Sequence, residues 1–151
     1  MMCNSTCIKI RKAVTEDHNA IYLLNLHEMH YDFPLESTAS KLDKILKSPD
    51  HLVLVAELDG KVIGYVHACD YDLLYATNMK NIMGIAVKDK YKRMGVGRAL
   101  LSAVEKWASE NGAECIRLCS GEERINAHEF YKSCGYTCGK KQLNFKKELC
   151  Q

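Results

Sequence analysis

The sequence lacks the features that define three large classes of protein. No apolar run among its 151 residues approaches the roughly 18 that span a bilayer, so no contact with a membrane is expected. The first residues lead into Lys9 and Arg11 without an apolar segment, which argues against a secretory leader. The net charge is only +2, from 21 basic and 19 acidic residues, which argues against a nucleic-acid partner. These absences predict a cytoplasmic protein.

The cysteines and histidines show no spacing typical of a metal site. None of the eight cysteines belongs to a Cys-x-x-Cys pair, which zinc sites usually contain. His27 and His30 lie three residues apart on a predicted helix, but no third ligand follows, so no metal is predicted. Thiols of a cytosolic protein stay reduced, and most are expected to act as small core residues. A redox role for some of them stays open.

The length predicts one domain. The chain contains no internal repeat, low-complexity stretch or linker, and its size suits a single hydrophobic core. We therefore expect residues 1–151 to form one domain, with residues 1–7 as a flexible tail.

Hydrophobic periodicity and turn signals predict an α/β fold. Asp59-Gly60 between two β-rich runs indicates a hairpin, and Val96, Leu100 and Val104 recur at helical spacing. Strands and helices alternate in the second half, which predicts a mixed sheet with helices on both faces. The predicted strands are 8–13, 51–58, 61–74, 82–87, 115–119 and 142–149, and the predicted helices are about 15–30, 37–47, 96–111 and 126–133.

The segment between the strand ending at Val87 and the helix starting at Val96 is basic, and Gly95 and Gly97 lie at its junction with the helix. The first turn of a helix exposes unpaired N–H groups and a partial positive charge, and glycines let an anion approach the backbone. This combination favours a phosphate or pyrophosphate ligand. Gly97 is followed by Arg98-Ala99, which excludes a P-loop, and Leu100 replaces the third small residue of a dinucleotide fingerprint. A turn whose glycines only relieve strain is the alternative.

Two motifs resemble those of the GNAT superfamily of N-acetyltransferases. Lys92-x-x-Gly95-x-Gly97 is similar to the superfamily's acetyl-CoA signature, with Lys in place of the usual Arg or Gln. The downstream segment is similar to its second cofactor motif, and the order of predicted elements matches over nearly the whole chain. The residues of that second motif are Ser120, Gly121, Arg124, Ala127, His128, Phe130, Tyr131, Gly135 and Tyr136.

The resemblance implies a GNAT-like fold and acetyl-CoA as the acyl donor. The expected sheet is mixed, mostly antiparallel and six- to seven-stranded, is splayed between its fourth and fifth strands, and carries about four helices. The pantetheine arm is expected in the gap and the pyrophosphate on the glycine turn. The implied cofactor-binding residues are Ile85, Ala86, Val87, Lys92, Arg93, Met94, Gly95, Val96, Gly97, Arg98, Arg124, Ala127 and Phe130.

The resemblance also implies a general acid at Tyr131, whose phenol would stabilise or protonate the leaving thiolate. The alternative is that Tyr131 only packs on the sheet. Arg124 and His128 are expected either to contact the cofactor or to fix that helix, and for His128 the structural role is favoured. Many relatives carry a carboxylate on the strand before the turn, but Met83 and Gly84 stand there. A general base is therefore absent, water-mediated, or drawn from Glu28, Asp70 or Asp72.

The expected reaction moves an acetyl group to a primary amine by direct attack in a ternary complex. Glu28, Tyr31, Asp70 and Asp72 are the candidate substrate-binding residues, since carboxylates and aromatics suit a cationic amine. The sequence does not identify this small-molecule or peptide amine, and it leaves open whether the chain forms a homodimer. A non-catalytic acyl-CoA sensor on the same fold is the alternative function.

Overall fold

A two-residue turn joins β2 (His51–Leu58) to β3 (Lys61–Tyr71) in the computed structural model, which describes residues 7–150. Asp59 and Gly60 both have positive φ angles, 51° and 76°, as a type I′ hairpin turn requires. Glycine adopts this conformation without a steric cost, and aspartate tolerates it. The hairpin predicted from the Asp-Gly pair is confirmed.

The described part of the chain contains one five-stranded sheet in the order β1-β2-β3-β4-β5. β1 (Lys9–Lys12), β2, β3 and β4 (Met79–Val87) pair antiparallel with their neighbours, whereas β4 and β5 (Cys115–Leu118) pair parallel. The prediction of a mixed, mostly antiparallel sheet is confirmed. β4 begins three residues earlier than predicted, because Met79 to Asn81 already pair with both neighbouring strands.

Residues 7–150 contain four α-helices, in agreement with the predicted number. They are α1 (His18–Glu28), α2 (Leu35–Leu46), α3 (Val96–Glu110) and α4 (Ile125–Ser133). Gly112, with a φ of 75°, follows the end of α3 and supplies the left-handed residue common after helices. Within residues 7–150, none of the helices has the length and apolar character that crossing a membrane requires.

The first three helices cover both faces of the sheet. α1 and α2 bury Ile21, Leu24 and Leu42 in a cluster with β-strand residues that include Val55 and Tyr65. α3 contacts β2, β3 and β4. Strand side chains alternate between the two faces, so the neighbours of Val55 and Tyr65 in sequence point toward α3. The most deeply buried side chains of α3 are Val96, Leu100, Leu101 and Val104.

The chain divides into two compact units, residues 1–119 and 120–151. The first unit holds the sheet with α1 to α3, and the second holds α4. The single domain expected from the length stays a prediction. The predicted tail at residues 1–7 lies outside the described residues except for Cys7, which is exposed.

The prediction of six to seven strands is wrong. Residues 142–149, predicted as the last strand, have no regular secondary structure in the described chain. Leu143, Phe145 and Leu149 alternate as a strand would, but each is more than 80% exposed. A strand is stabilised by ladder hydrogen bonds and by one buried face, and these residues have no buried face. The alternating sequence pattern alone was therefore insufficient.

Candidate functional site

β4 extends five residues beyond its pairing with β5, which is paired over its whole length, Cys115–Leu118. Their parallel pairing ends at Ile82 and Leu118, while β4 continues to Val87 and stays paired with β3. Residues 83–87 therefore face the former β5 side without that strand as a partner. This edge of β4, residues 83–87, is where the gap between the fourth and fifth strands is expected, and the splaying of the two strands stays a prediction.

A β-bulge marks the start of this gap. His67 pairs with Gly84 and Ala68 pairs with Ile82, so Met83 is an additional residue on β4. Such a bulge bends the strand and increases its local twist. The backbone of Ile85, Ala86 and Val87 follows the bulge, and the cofactor-binding role of these residues stays a prediction.

The turn between β4 and α3 has the geometry of an anion site. Arg93 and Gly95 have positive φ angles of 66° and 82°, and Gly95 directly precedes the helical residue Val96. A left-handed residue followed by helical residues directs successive N–H groups to one side, and the first N–H groups of α3 lack intrahelical acceptors. Val96 is 1% exposed, so it anchors the start of the helix in the core.

The predicted cofactor-binding side chains of the first unit surround this turn. Lys92, Arg93 and Arg98 are exposed at the surface, so their charged groups are accessible to solvent. Met94 is half-exposed at 51%. The turn therefore combines backbone donors with three cationic side chains, a set suited to a diphosphate.

Glu28 holds this turn from the end of α1. Its carboxylate accepts a hydrogen bond of 3.0 Å from the N–H of Asp89 and lies 3.4 Å from Lys92 Nζ. The Glu28 side chain is 13% exposed, and a carboxylate that is buried to this degree is stabilised by both partners. The structure gives Glu28 two contacts within the turn, and its predicted role in substrate binding stays a prediction.

Asp70 is also engaged within the protein. Its carboxylate forms an ion pair of 2.5 Å with Lys80, which lies opposite it on β4. Lys80 is buried and its Nζ lies 4.7 Å from the centre of the Trp107 ring on α3. Asp72 is exposed and Tyr31 is 65% exposed. The substrate-binding roles of these residues also stay predictions.

A tyrosine hydroxyl lies beside the strand position where a carboxylate was sought. A Cβ added at Gly84 would lie 3.8 Å from the Tyr65 hydroxyl and 3.8 Å from Met29 Cε. This hydroxyl donates a hydrogen bond to Asn25 Oδ1, and burial raises the pKa of Tyr65 to about 12. Tyr65 therefore stays protonated at neutral pH and does not act as a base there.

Four predicted functional residues fall in the second unit, on or beside α4. Arg124 is the residue that precedes α4, and Ala127 and Phe130 are partly buried on it. The Tyr131 ring contacts Phe130 at 5.5 Å and Tyr136 at 6.2 Å between ring centres. Burial raises the pKa of the Tyr131 phenol, and the charge of Arg124 opposes that shift, so the phenol carries its proton at neutral pH.

His128 supports the start of α4. Its Nε2 lies 2.8 Å from the carbonyl oxygen of Gly121, within hydrogen-bond distance. This contact ties the helix to the loop before it. It is the structural role that the sequence analysis favoured for His128.

A polar cluster at the beginning of the gap was not predicted from the sequence. Arg117 on β5 donates to Asn81 Oδ1 at 2.6 Å and to Cys119 Sγ at 3.0 Å. Its guanidinium carbon lies 4.4 Å from the centre of the Tyr71 ring. The alternation of Arg117 with Leu118 in a predicted strand was the available signal, but the partners come from two other strands, and only the register identifies them.

The comparisons with known proteins agree with this architecture. Residues 13–136 match the model of the acetyltransferase (GNAT) family. The uncharacterized N-acetyltransferase YhfO of Bacillus subtilis is 30% identical over 135 residues, which cover 85% of this chain and 89% of that protein. An aminoglycoside N(6′)-acetyltransferase type 1 of Stenotrophomonas maltophilia is 26% identical over 122 residues, which cover 78% of each chain.

A solved structure shows the same fold. The aminoglycoside N-acetyltransferase AAC(6′)-Iy, determined in complex with CoA, superposes with a TM-score of 0.88. The match covers 99% of this chain and 100% of that one, at 17% sequence identity. At this identity the likeness concerns the fold alone.

Proposed function

The chain belongs to the acetyltransferase (GNAT) family, and we propose that it transfers the acetyl group of acetyl-CoA to a primary amine. The observation that carries the proposal is the edge of β4 beyond Ile82, which β5 does not pair and which leads into the basic turn that starts α3. A thioester ligand with a diphosphate needs both features, an open strand edge and an anion site.

The donor would be held mainly by backbone groups. The N–H groups at the start of α3, with the charges of Lys92, Arg93 and Arg98, would bind the diphosphate. The open edge of β4 at Ile85 and Val87 would pair with the amide groups of the pantetheine arm, as an added strand does. The relative that was determined with CoA shares this fold, which supports the proposal.

The reaction would be a direct attack by the amine. The uncharged nitrogen forms a bond to the thioester carbonyl carbon, the carbon–sulfur bond breaks, and the thiolate leaves. A backbone N–H of β4 near Val87 would stabilise the oxyanion that develops on the carbonyl oxygen. Since Gly84 faces the protonated Tyr65 rather than a carboxylate, we propose that water removes the proton from the ammonium group.

Tyr131 is proposed as the group that stabilises the leaving thiolate. A thiol resembling cysteine has a pKa of about 8.5, and a free phenol has one of about 10. Full proton transfer from phenol to thiolate is therefore uphill by about 2 kcal/mol, and a hydrogen bond from the phenol is the main contribution until solvent supplies the proton. The support for this role is the sequence motif around Tyr131 and its protonated phenol.

The test is release of free thiol from acetyl-CoA across a panel of primary amines. We expect amine-dependent release by the wild type, and weaker acetyl-CoA binding after Gly97→Leu, because the added side chain lies where the diphosphate approaches the backbone. Lys106→Gln, an exposed substitution elsewhere on α3, is the control. Binding of acetyl-CoA without thiol release on any amine would instead indicate the sensor function. Unchanged affinity of the Gly97 variant would contradict the placement of the diphosphate.

A further inference from the structure

Arg117 carries a positive charge that no carboxylate in the described chain balances. The ion pairs formed among residues 7–150 do not include it. Arg11, the comparable half-buried arginine, pairs with Asp17 at 2.8 Å and with Glu57 at 2.7 Å. A partly buried guanidinium without an acidic partner is unusual, since burying a charge is costly unless it is paired.

The neutral neighbours of Arg117 hold its side chain in one orientation. β3 and β5 flank β4, so the guanidinium reaches across β4 to lie against the Tyr71 ring. Asn81 accepts one N–H through Oδ1, and its own amide nitrogen lies 3.0 Å from Met83 Sδ, which orients the amide. Cys119 occupies a second N–H. Three of the five N–H donors of a guanidinium are not used by these two contacts.

This oriented cation lies at the beginning of the gap. Arg117 pairs with Asn81, one step before the last β4–β5 pair at Ile82 and Leu118. From Asn81 to Ile85 the strand extends about 13 Å, at roughly 3.3 Å per residue. Under the proposed function, Arg117 is therefore too far from the thioester to take part in the reaction. It would contact a part of the acceptor that lies several atoms from the acetylated nitrogen.

We propose that Arg117 binds a carboxylate of the acceptor, so that the substrate is an amine separated by several atoms from its own carboxylate. The inference rests on the proposed function and specifies its substrate class. A planar guanidinium with free neighbouring donors matches the two oxygens of a carboxylate. Arg117 is the specificity-determining residue, and Tyr71 and Asn81 are positioning residues that hold its side chain in place.

The first experiment compares each acid with its amide. Thiol release is measured with glycine, 4-aminobutanoate and 6-aminohexanoate and with the corresponding amides, using the wild type, Arg117→Gln and the control Lys106→Gln. We expect 4-aminobutanoate or 6-aminohexanoate to exceed its amide by tenfold or more in kcat/KM for the wild type and the control. Arg117→Gln should remove that preference while acetyl-CoA affinity stays unchanged. Equal rates on every acid and its amide would overturn the inference and leave the acetyltransferase function intact. Weakened acetyl-CoA binding by Arg117→Gln would also overturn the inference, because it would place Arg117 at the donor and not at the acceptor.

The second experiment does not depend on turnover. Calorimetry measures binding of the acetylated acids, such as 6-acetamidohexanoate, to the same three proteins in the presence of CoA. We expect binding to the wild type and Lys106→Gln and a loss of at least tenfold in Arg117→Gln. If no thiol is released but this binding pattern holds, the proposed function fails and the carboxylate site stands. If neither the acids nor their acetylated products distinguish Arg117→Gln from the wild type, the site does not exist.

Discussion

The two histidines at the start of β2 and in the middle of β3 predict a loss of stability in mild acid. His51 Nδ1 and His67 Nε2 lie 2.8 Å apart, and the rings stack with 5.1 Å between their centres. Burial and the neighbouring His51 lower the pKa of His67 to about 4. A histidine in an unfolded chain has a pKa of about 6.5, so the unfolded state binds this proton at a higher pH than the folded state does.

The sign and size of the effect follow from that difference. The pKa of His67 is lower in the folded state than in the unfolded state, so protonation favours the unfolded state. The resulting loss in the free energy of unfolding is absent above about pH 6.5, grows as the pH falls, and reaches its limit below about pH 4. Proton linkage with these two values gives a loss of about 2 kcal/mol between pH 7 and pH 5. His67 is half-buried, so solvent screening makes this an upper bound. In a domain of this size it corresponds to a fall in Tm of about 5 °C.

The assay is urea unfolding of the wild type and His67→Asn at pH 7 and pH 5. The pH dependence of the wild type should exceed that of His67→Asn by about 1–2 kcal/mol, because carboxylates titrate equally in both proteins and cancel in the comparison. His30→Asn is the control, since His30 is exposed and its φ of 62° suits asparagine. Parallel pH profiles of wild type and His67→Asn would refute the reasoning.

Two further substitutions test the core and the proposed chemistry. Asp70→Asn should lower the free energy of unfolding by about 2 kcal/mol in urea titrations, because it leaves the buried Lys80 without its counter-charge. The control Asp43→Asn breaks an exposed ion pair and should change the free energy of unfolding by less than about 0.5 kcal/mol. Equal losses in the two variants would contradict the burial assigned to Lys80. Tyr131→Phe should reduce kcat by about 10²-fold with the KM for acetyl-CoA nearly unchanged, whereas Tyr22→Phe should keep wild-type kinetics; an unaltered kcat for the Tyr131 variant would remove its phenol from the mechanism.

The features predictable from the sequence are those encoded by neighbouring residues. Asp59-Gly60 specified the hairpin because the turn conformation depends on those two residues alone. Val96, Leu100 and Val104 specified α3 because one helix face must be buried. Glu28 was different, since its partner Asp89 is 61 residues away and its contact depends on how α1 packs. The last strand failed for the same reason, because pairing and burial are properties of the folded unit and not of the alternating pattern in residues 142–149.

Because of the bulge at Met83, the predicted strand did not show which side chains of β4 face the proposed acceptor. Ile82 pairs with Ala68 and Ala86 pairs with Tyr65, so these two even-numbered residues of β4 face opposite sides of the sheet. Strict alternation would place them on one side, together with Gly84, and would direct Gly84 toward α3. The additional residue instead turns Gly84 toward Tyr65 and Met29. The bulge therefore determines which side chains of β4 lie on the side of the sheet that we assign to the acceptor.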